Sequence, residues 1–146
     1  MDRAGFPGRT WAVLTARLIL GLIFFMAGLW KVFTLGPLEH ARQLFIGPYA
    51  DTFLPVWALW ATGTVVPVVE LLAGGLLLMG LWTRHALLSL GGVLVLVTFG
   101  HLLADPLYEF NSHVIPRTAL LLFLLMIPAS EDRISLDHWL SRRRSP

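Results

Sequence analysis

The sequence contains no cysteine. A disulfide, a thiolate nucleophile and a CxxC redox relay are therefore excluded for this chain. If sulfur redox chemistry takes place here, the sulfur must belong to a substrate or to a partner protein.

Charged residues are scarce, because only 14% of the sequence is Asp, Glu, Lys or Arg. A soluble domain usually carries about 25%. Hydrophobic residues make up 56% of the chain, and the mean hydropathy is +0.72. These values predict one integral membrane domain over residues 1–146, with the lipid bilayer as its surroundings. Nucleic acid is not an expected partner, because the basic residues lie at helix ends and form no broad patch.

Four long apolar stretches fill most of the sequence. They predict an all-α fold, an integral membrane four-helix bundle with spans at about 11–33, 54–81, 84–103 and 114–129. The first three stretches have the roughly 20 residues that a span needs, and the fourth is shorter. Short amphipathic helices are predicted at the membrane interface after the first span, through Phe45, and after the fourth, where Ser130 would cap residues 131–140.

The distribution of basic residues predicts the orientation in the plasma membrane. With four spans, both termini and the loop between the second and third spans lie on one side. That side holds Arg3, Arg9, Arg17, Arg84, Arg133, Arg142, Arg143 and Arg144, whereas the other holds only Lys31, Arg42 and Arg117. Because cytoplasmic loops are enriched in Lys and Arg, both termini should be cytoplasmic.

Ionisable residues and glycines share one face of each predicted helix. Charged groups inside a membrane face the protein interior or a ligand, so these faces should meet at the centre of the bundle. The buried polar or ligand-binding candidates are Arg17, Lys31, Glu70, His101, Asp105 and Arg117. Helix rise places Arg17 within reach of Glu70 in a deep layer, and the other four candidates in a layer near the outer surface. The alternative is that an Arg17–Glu70 pair only fixes helix register.

Pro67 lies one turn before Glu70 in the second span. It should kink the helix and release the carbonyl of Gly63 from its backbone hydrogen bond. His101, Asp105 and His113 are too few to predict a metal site, so a His–Asp hydrogen bond or proton shuttling is expected instead. Haem is not expected either, because paired histidines deep in the bundle are absent.

Several short motifs resemble those of the DoxX family of small four-helix membrane proteins. They are Arg17-Leu-Ile-Leu-Gly21, Gly28-Leu-Trp-Lys31, Glu70-Leu-Leu-Ala-Gly74-Gly75 and Thr83-Arg84, with His101, Asp105, Asn111 and Arg117 fitting less tightly. The family takes its name from a membrane subunit of an archaeal thiosulfate:quinone oxidoreductase. The resemblance implies association with redox proteins. Distant relatives that handle thiols use cysteines for this purpose, and this chain has none.

The residues and the resemblance together suggest three functions. The first is a redox-linked membrane subunit that holds a quinone or another small hydrophobic ligand near the Arg, Glu and His residues. The second is a non-catalytic accessory or assembly subunit of a larger membrane complex, or of a homo-oligomer. A small transporter is the least favoured, because four helices without a repeat are poorly suited to alternating access.

Overall fold

The computed structural model describes residues 8–105 and 113–144. Within these ranges every regular element is a helix. The α-helices are α1 (Gly8–Leu29), α2 (Pro37–Ala41), α3 (Gly47–Tyr49), α4 (Val56–Met79), α5 (Thr83–Ala104), α6 (Val114–Met126) and α7 (Leu136–Arg144). Two π-helical turns, Trp30–Leu35 and Arg42–Ile46, extend α1 and α2, and a 3₁₀ turn spans Ala129–Glu131. The predicted role of Asn111 lies outside the described residues.

Among the described residues, three helical segments are long and apolar enough to cross a membrane. They are Gly8–Leu35, Val56–Met79 and Thr83–Ala104. Helix α6 is also apolar, but its 13 residues rise only about 20 Å. The prediction of an all-helical membrane protein is confirmed.

Helices α1 and α4 pack against each other through glycines. A Cβ atom added to Gly74 would lie 2.5 Å from the backbone nitrogen of Phe25, and one on Gly28 would lie 2.7 Å from the Cα of Leu71. Backbones can approach this closely only where a residue lacks a side chain. The prediction that glycines on these two helices mark their contact is confirmed.

The same contacts fix the register of the antiparallel pair. Gly28 lies beside Leu71, Phe25 beside Gly74, and Gly21 beside Leu78. This register places Glu70 level with Leu29 and places Arg17 beyond the end of α4. Arg17 and Glu70 are thus separated by about 12 residues of helix, or about 18 Å along the axis.

Helix α2 packs on α4. It begins at Pro37, as the sequence indicates, but His40 and Ala41 are buried, whereas Leu38 is exposed. A Cβ on Gly63 would come within 2.7 Å of the Cβ of Ala41. The interfacial position stays a prediction, and the structure adds that the small side chain of Ala41 lets α2 contact α4 at Gly63. We call this end of the bundle the α2 end.

The opposite end, which we call the terminal end, holds the start of α1 and the chain after α6. The prediction that Ser130 caps a helix over residues 131–140 is wrong, since α7 begins at Leu136. Ser135 takes the capping position, and its hydroxyl accepts a hydrogen bond from the His138 amide at 3.2 Å. The segment before α7 turns inward instead, so that Asp132 is buried.

The Asp137 carboxylate caps the start of α5 from α7. Its two oxygens accept hydrogen bonds from the amides of Trp82 at 2.8 Å and Thr83 at 2.9 Å. Asp137→Ala should therefore lower the free energy of unfolding by about 1–2 kcal/mol, because two helix-start amides lose their acceptor. Thermal unfolding in detergent would measure this loss. The exposed Asp51 provides the control, and an equal loss in Asp51→Ala would contradict the capping role.

Candidate functional site

A buried ion pair joins the extension of α1 to α4. Lys31 Nζ lies 2.6 Å from Glu70 Oε2, with the Glu70 side chain 6% exposed and that of Lys31 22% exposed. Lys31 is the only lysine of the sequence. The partner of Glu70 is therefore Lys31, and the predicted Arg17–Glu70 pair does not form.

Arg17 instead makes its contacts at the terminal end. Its guanidinium donates hydrogen bonds to the carbonyls of Leu77 at 2.6 Å and Ile134 at 2.7 Å, and its Nε lies 3.3 Å from Asp132 Oδ2. The physical reason is the register of α1 against α4, which sets Arg17 about 18 Å from the level of Glu70. Sequence reasoning missed Asp132. The signal in the sequence for Asp132 was that Arg17 needs a carboxylate partner at the terminal end, where few carboxylates are available.

Burial raises the pKa of the Asp132 carboxyl, and the neighbouring Arg17 guanidinium opposes this rise. The two groups are nevertheless held together, because each would otherwise be a charge buried without a partner. Arg17 is only 2% exposed and Asp132 only 8%. This cluster connects α1, α4 and the segment before α7.

His40 binds the carbonyl that Pro67 leaves open. A proline at position 67 has no N–H to donate to the Gly63 carbonyl four residues earlier. His40 Nδ1 lies 2.7 Å from that carbonyl oxygen. The prediction that Pro67 frees Gly63 is confirmed, but sequence reasoning did not identify His40 as the donor. The signal that could have identified His40 was its position next to Ala41, in a segment that faces the freed carbonyl of Gly63.

A cavity of about 430 Å³ opens between α2, α3, α4 and α5 at the α2 end. Its apolar wall is lined by residues such as Phe45, Val66, Leu96 and Val97. The polar residues that line it are Lys31, His40, Tyr49, His101 and Asp105. Its size and its mixture of an apolar wall with a few polar groups are typical of small-molecule sites.

The cavity brings together three of the six sequence candidates, Lys31, His101 and Asp105, and Glu70 joins them through Lys31. Arg117 does not line it, because its guanidinium lies over the ring of Phe24, 5.8 Å from the centroid. Within residues 8–105 and 113–144, no three His, Asp or Glu side chains are placed to hold a metal ion.

The electrostatic surroundings of His40 favour its neutral form. Burial lowers the pKa of His40, and the nearby Lys31 ammonium lowers it further, while the Gly63 carbonyl and Glu70 act in the opposite direction. Burial likewise raises the pKa of the Tyr49 hydroxyl. The cavity therefore presents a neutral imidazole and a neutral phenol beside one buried ion pair.

These features define an all-helical membrane protein with a partly enclosed, mainly apolar cavity that carries a few polar groups near one end of the long helices. The family model of the methylamine utilisation protein MauE matches residues 9–108, and the chain belongs to that family. The matched region includes every polar residue of the cavity but excludes Arg117. No curated protein and no solved structure matches the chain.

The resemblance to the DoxX family was wrong, because the family that matches is MauE. The physical reason lies in the motifs on which that resemblance rested. Gly21, Gly28 and Gly74 are residues at which helix backbones meet. Small residues with this spacing recur wherever membrane helices pack closely, so they specify packing better than they specify a family.

Proposed function

We propose that the chain is a redox-linked membrane subunit of a methylamine utilisation system. In this proposal it binds a quinone or another small hydrophobic ligand at the α2 end. Conversion of methylamine to an aldehyde and ammonia is an oxidation, so the electrons need an acceptor. The observation that carries the proposal is the cavity of about 430 Å³, in which an apolar wall meets Lys31, His40 and His101. A ring with polar oxygens fits such surroundings, because its body is apolar and its edge forms hydrogen bonds.

The proposal includes a membrane arrangement. We propose one domain of four spans, in which α6 is the fourth and shortest, inserted in the plasma membrane. Both termini are cytoplasmic in this arrangement, because Arg9, Arg84, Arg133 and the C-terminal arginines then lie on the cytoplasmic side. The cavity would open toward the outer side, where His101 and Asp105 would relay protons.

Replacement of Glu70 tests the ligand site. Glu70→Gln should slow methylamine-driven quinone reduction in native membranes by at least about tenfold per molecule of protein, since it disrupts a buried charge pair at the cavity. Glu39→Gln is the matched control, because Glu39 carries an ion pair with Arg42 on the exposed surface.

A double variant separates ligand binding from stability. Lys31→Met/Glu70→Gln removes both buried charges, and replacing a whole buried pair often restores stability. If the pair has only a structural role, the double variant should regain both protein abundance and activity. If the pair belongs to the site, abundance should recover while activity stays low, and recovery of both would contradict the proposal.

A groove between α5 and α6 favours a second candidate, a non-catalytic accessory subunit. The groove measures about 920 Å³ and is lined almost wholly by apolar and small residues, among them Leu88, Gly92, Val95, Ile115 and Ala119. A partner helix could pack there through these small residues. Purification in gentle detergent distinguishes the two functions. Stoichiometric partner chains without a bound small molecule would favour this candidate over the first.

A further inference from the structure

The imidazole of His40 is held in one tautomer. A backbone carbonyl can only accept a hydrogen bond, so the Nδ1 that lies 2.7 Å from the Gly63 oxygen must carry the proton. In a neutral histidine the other nitrogen, Nε2, then has a free lone pair. The ring of Phe45 packs at a tilt against the imidazole, with centroids 5.6 Å apart, and helps to fix its orientation.

The Nε2 atom makes no hydrogen bond to any residue in 8–105 or 113–144. His40 is nevertheless only 2% exposed, and it lines the cavity. Since its Nδ1 edge is turned toward Gly63, the Nε2 edge is the one available to a molecule in the cavity. A hydroxyl or N–H group of a ligand in the cavity would therefore meet an acceptor that makes no hydrogen bond within the described residues.

Other groups around the cavity are not equivalent acceptors. Lys31 has only donors, one of which is used by Glu70 at 2.6 Å. His101 and Asp105 already take part in other interactions. The phenol of Tyr49 also lines the cavity, but it can donate as well as accept. The cavity thus combines an acceptor-only nitrogen on His40 with a cationic donor on Lys31.

Resting on the proposed ligand cavity, we propose that this site holds a hydroxyl-bearing ring ligand, the quinol, more tightly than the quinone that accepts the electrons. The ligand hydroxyl donates its hydrogen to Nε2 of His40, and Lys31 supplies a donor to a ligand oxygen. Pro67 is then a positioning residue, since it leaves the Gly63 carbonyl free to hold the tautomer. A quinone has no hydroxyl to donate and leaves the lone pair of His40 unmatched.

Three probes of the same ring test the proposal under anaerobic conditions on the full chain in lipid nanodiscs. They are tetramethyl-1,4-benzoquinol, tetramethyl-1,4-benzoquinone and the dimethyl ether of the quinol. The wild-type chain should bind the quinol at least about tenfold more tightly than the ether or the quinone, as expected for one additional buried hydrogen bond. Equal affinity for the three probes would overturn the proposal, whatever the behaviour of variants.

Variants of His40 then assign the acceptor. In His40→Asn the side-chain amide can still donate to Gly63, but nothing replaces Nε2, so the preference for the quinol should disappear. In His40→Gln the longer amide can place an oxygen near the former Nε2, and part of the preference should return. His85→Asn, at an exposed histidine of α5, is the matched control and should bind as the wild type does. An undiminished preference in His40→Asn would contradict the role of His40.

The outcomes also separate this inference from the proposed function. Binding of all three probes with equal affinity would leave the ligand cavity in place and remove only the quinol selectivity. Failure of the folded wild-type chain to bind any of the three would instead contradict the cavity as a quinone-type site, and the proposed function with it. Circular dichroism and thermal unfolding of each variant establish that the comparison is made on folded protein.

Discussion

Replacement of Arg17 by Gln should lower the free energy of unfolding by about 3–5 kcal/mol, because it leaves the buried Asp132 carboxylate without its partner. The variant also deprives the carbonyls of Leu77 and Ile134 of their charged donor. Arg17 is 2% exposed, so water cannot replace these bonds. Denaturant unfolding in detergent, together with the amount of inserted protein, would measure the loss.

Arg9 offers the matched control for this change. It also faces a carboxylate, but its nitrogen lies 3.8 Å from Glu131 and its side chain is 80% exposed. Surface ion pairs contribute little, so Arg9→Gln should leave unfolding almost unchanged. Comparable losses in both variants would show that the two arginines act only through net charge. A double variant, Arg17→Met/Asp132→Leu, should recover the part of the loss that comes from the unpaired Asp132 carboxylate, since no buried charge then lacks a partner.

Gly28→Ala should destabilise the protein by about 3 kcal/mol, at the upper end of the range for overpacking. The new Cβ would lie 2.7 Å from the Cα of Leu71 and 2.9 Å from its Cβ, so α1 and α4 would have to move apart. Thermal unfolding in detergent would measure the effect. Because backbone atoms cannot rotate away as a side chain can, repacking should not relieve this contact.

Gly92 in the middle of α5 controls for the change in helix propensity. A Cβ at Gly92 would have no atom within 4 Å, so Gly92→Ala gains the propensity of alanine without a collision. That gain is about 1 kcal/mol in an exposed helix interior in water, and the variant should be as stable as the wild type or slightly more so. If Gly28→Ala were equally well tolerated, the close approach of α1 and α4 would be incorrect.

The long helices could be predicted from the sequence because their cause is local. Apolar length specifies a membrane helix, and glycines at helical spacing specify the face that meets a neighbour. The buried positions of Gly21, Phe24 and Gly28 in α1, and of Gly63 and Gly74 in α4, agree with that expectation. The freed carbonyl at Gly63 was equally predictable, since it follows from the absence of an N–H on Pro67.

The pairing of the charges could not be predicted in the same way. Periodicity states which residues share a face but not how far one helix is shifted along another. Aligning the two helix ends put Arg17 near Glu70, whereas the glycine contacts separate them by about 18 Å. The carboxylate that Arg17 does reach, Asp132, is 115 positions away in the sequence, so no local pattern connects them.

The cavity was predicted only in part, because α2 was assigned to the membrane surface. In the predicted helix from Pro37 through Phe45, Leu38, Ala41, Leu44 and Phe45 follow the helical spacing typical of an interfacial helix, and Leu38 and Leu44 are indeed exposed. What decides its position is the contact of Ala41 with Gly63, together with the hydrogen bond from His40. Both contacts depend on α4, so the amphipathic pattern of α2 alone does not predict them.

The bond between His40 and Gly63 has a consequence for the order of events during synthesis. Residues 37–49 leave the ribosome before α4 does, so they emerge without the carbonyl and the glycine surface that they later contact. They cannot make these contacts until α4 has been synthesised. The cavity is therefore completed late, by a segment that is translated early and docked only after its successor.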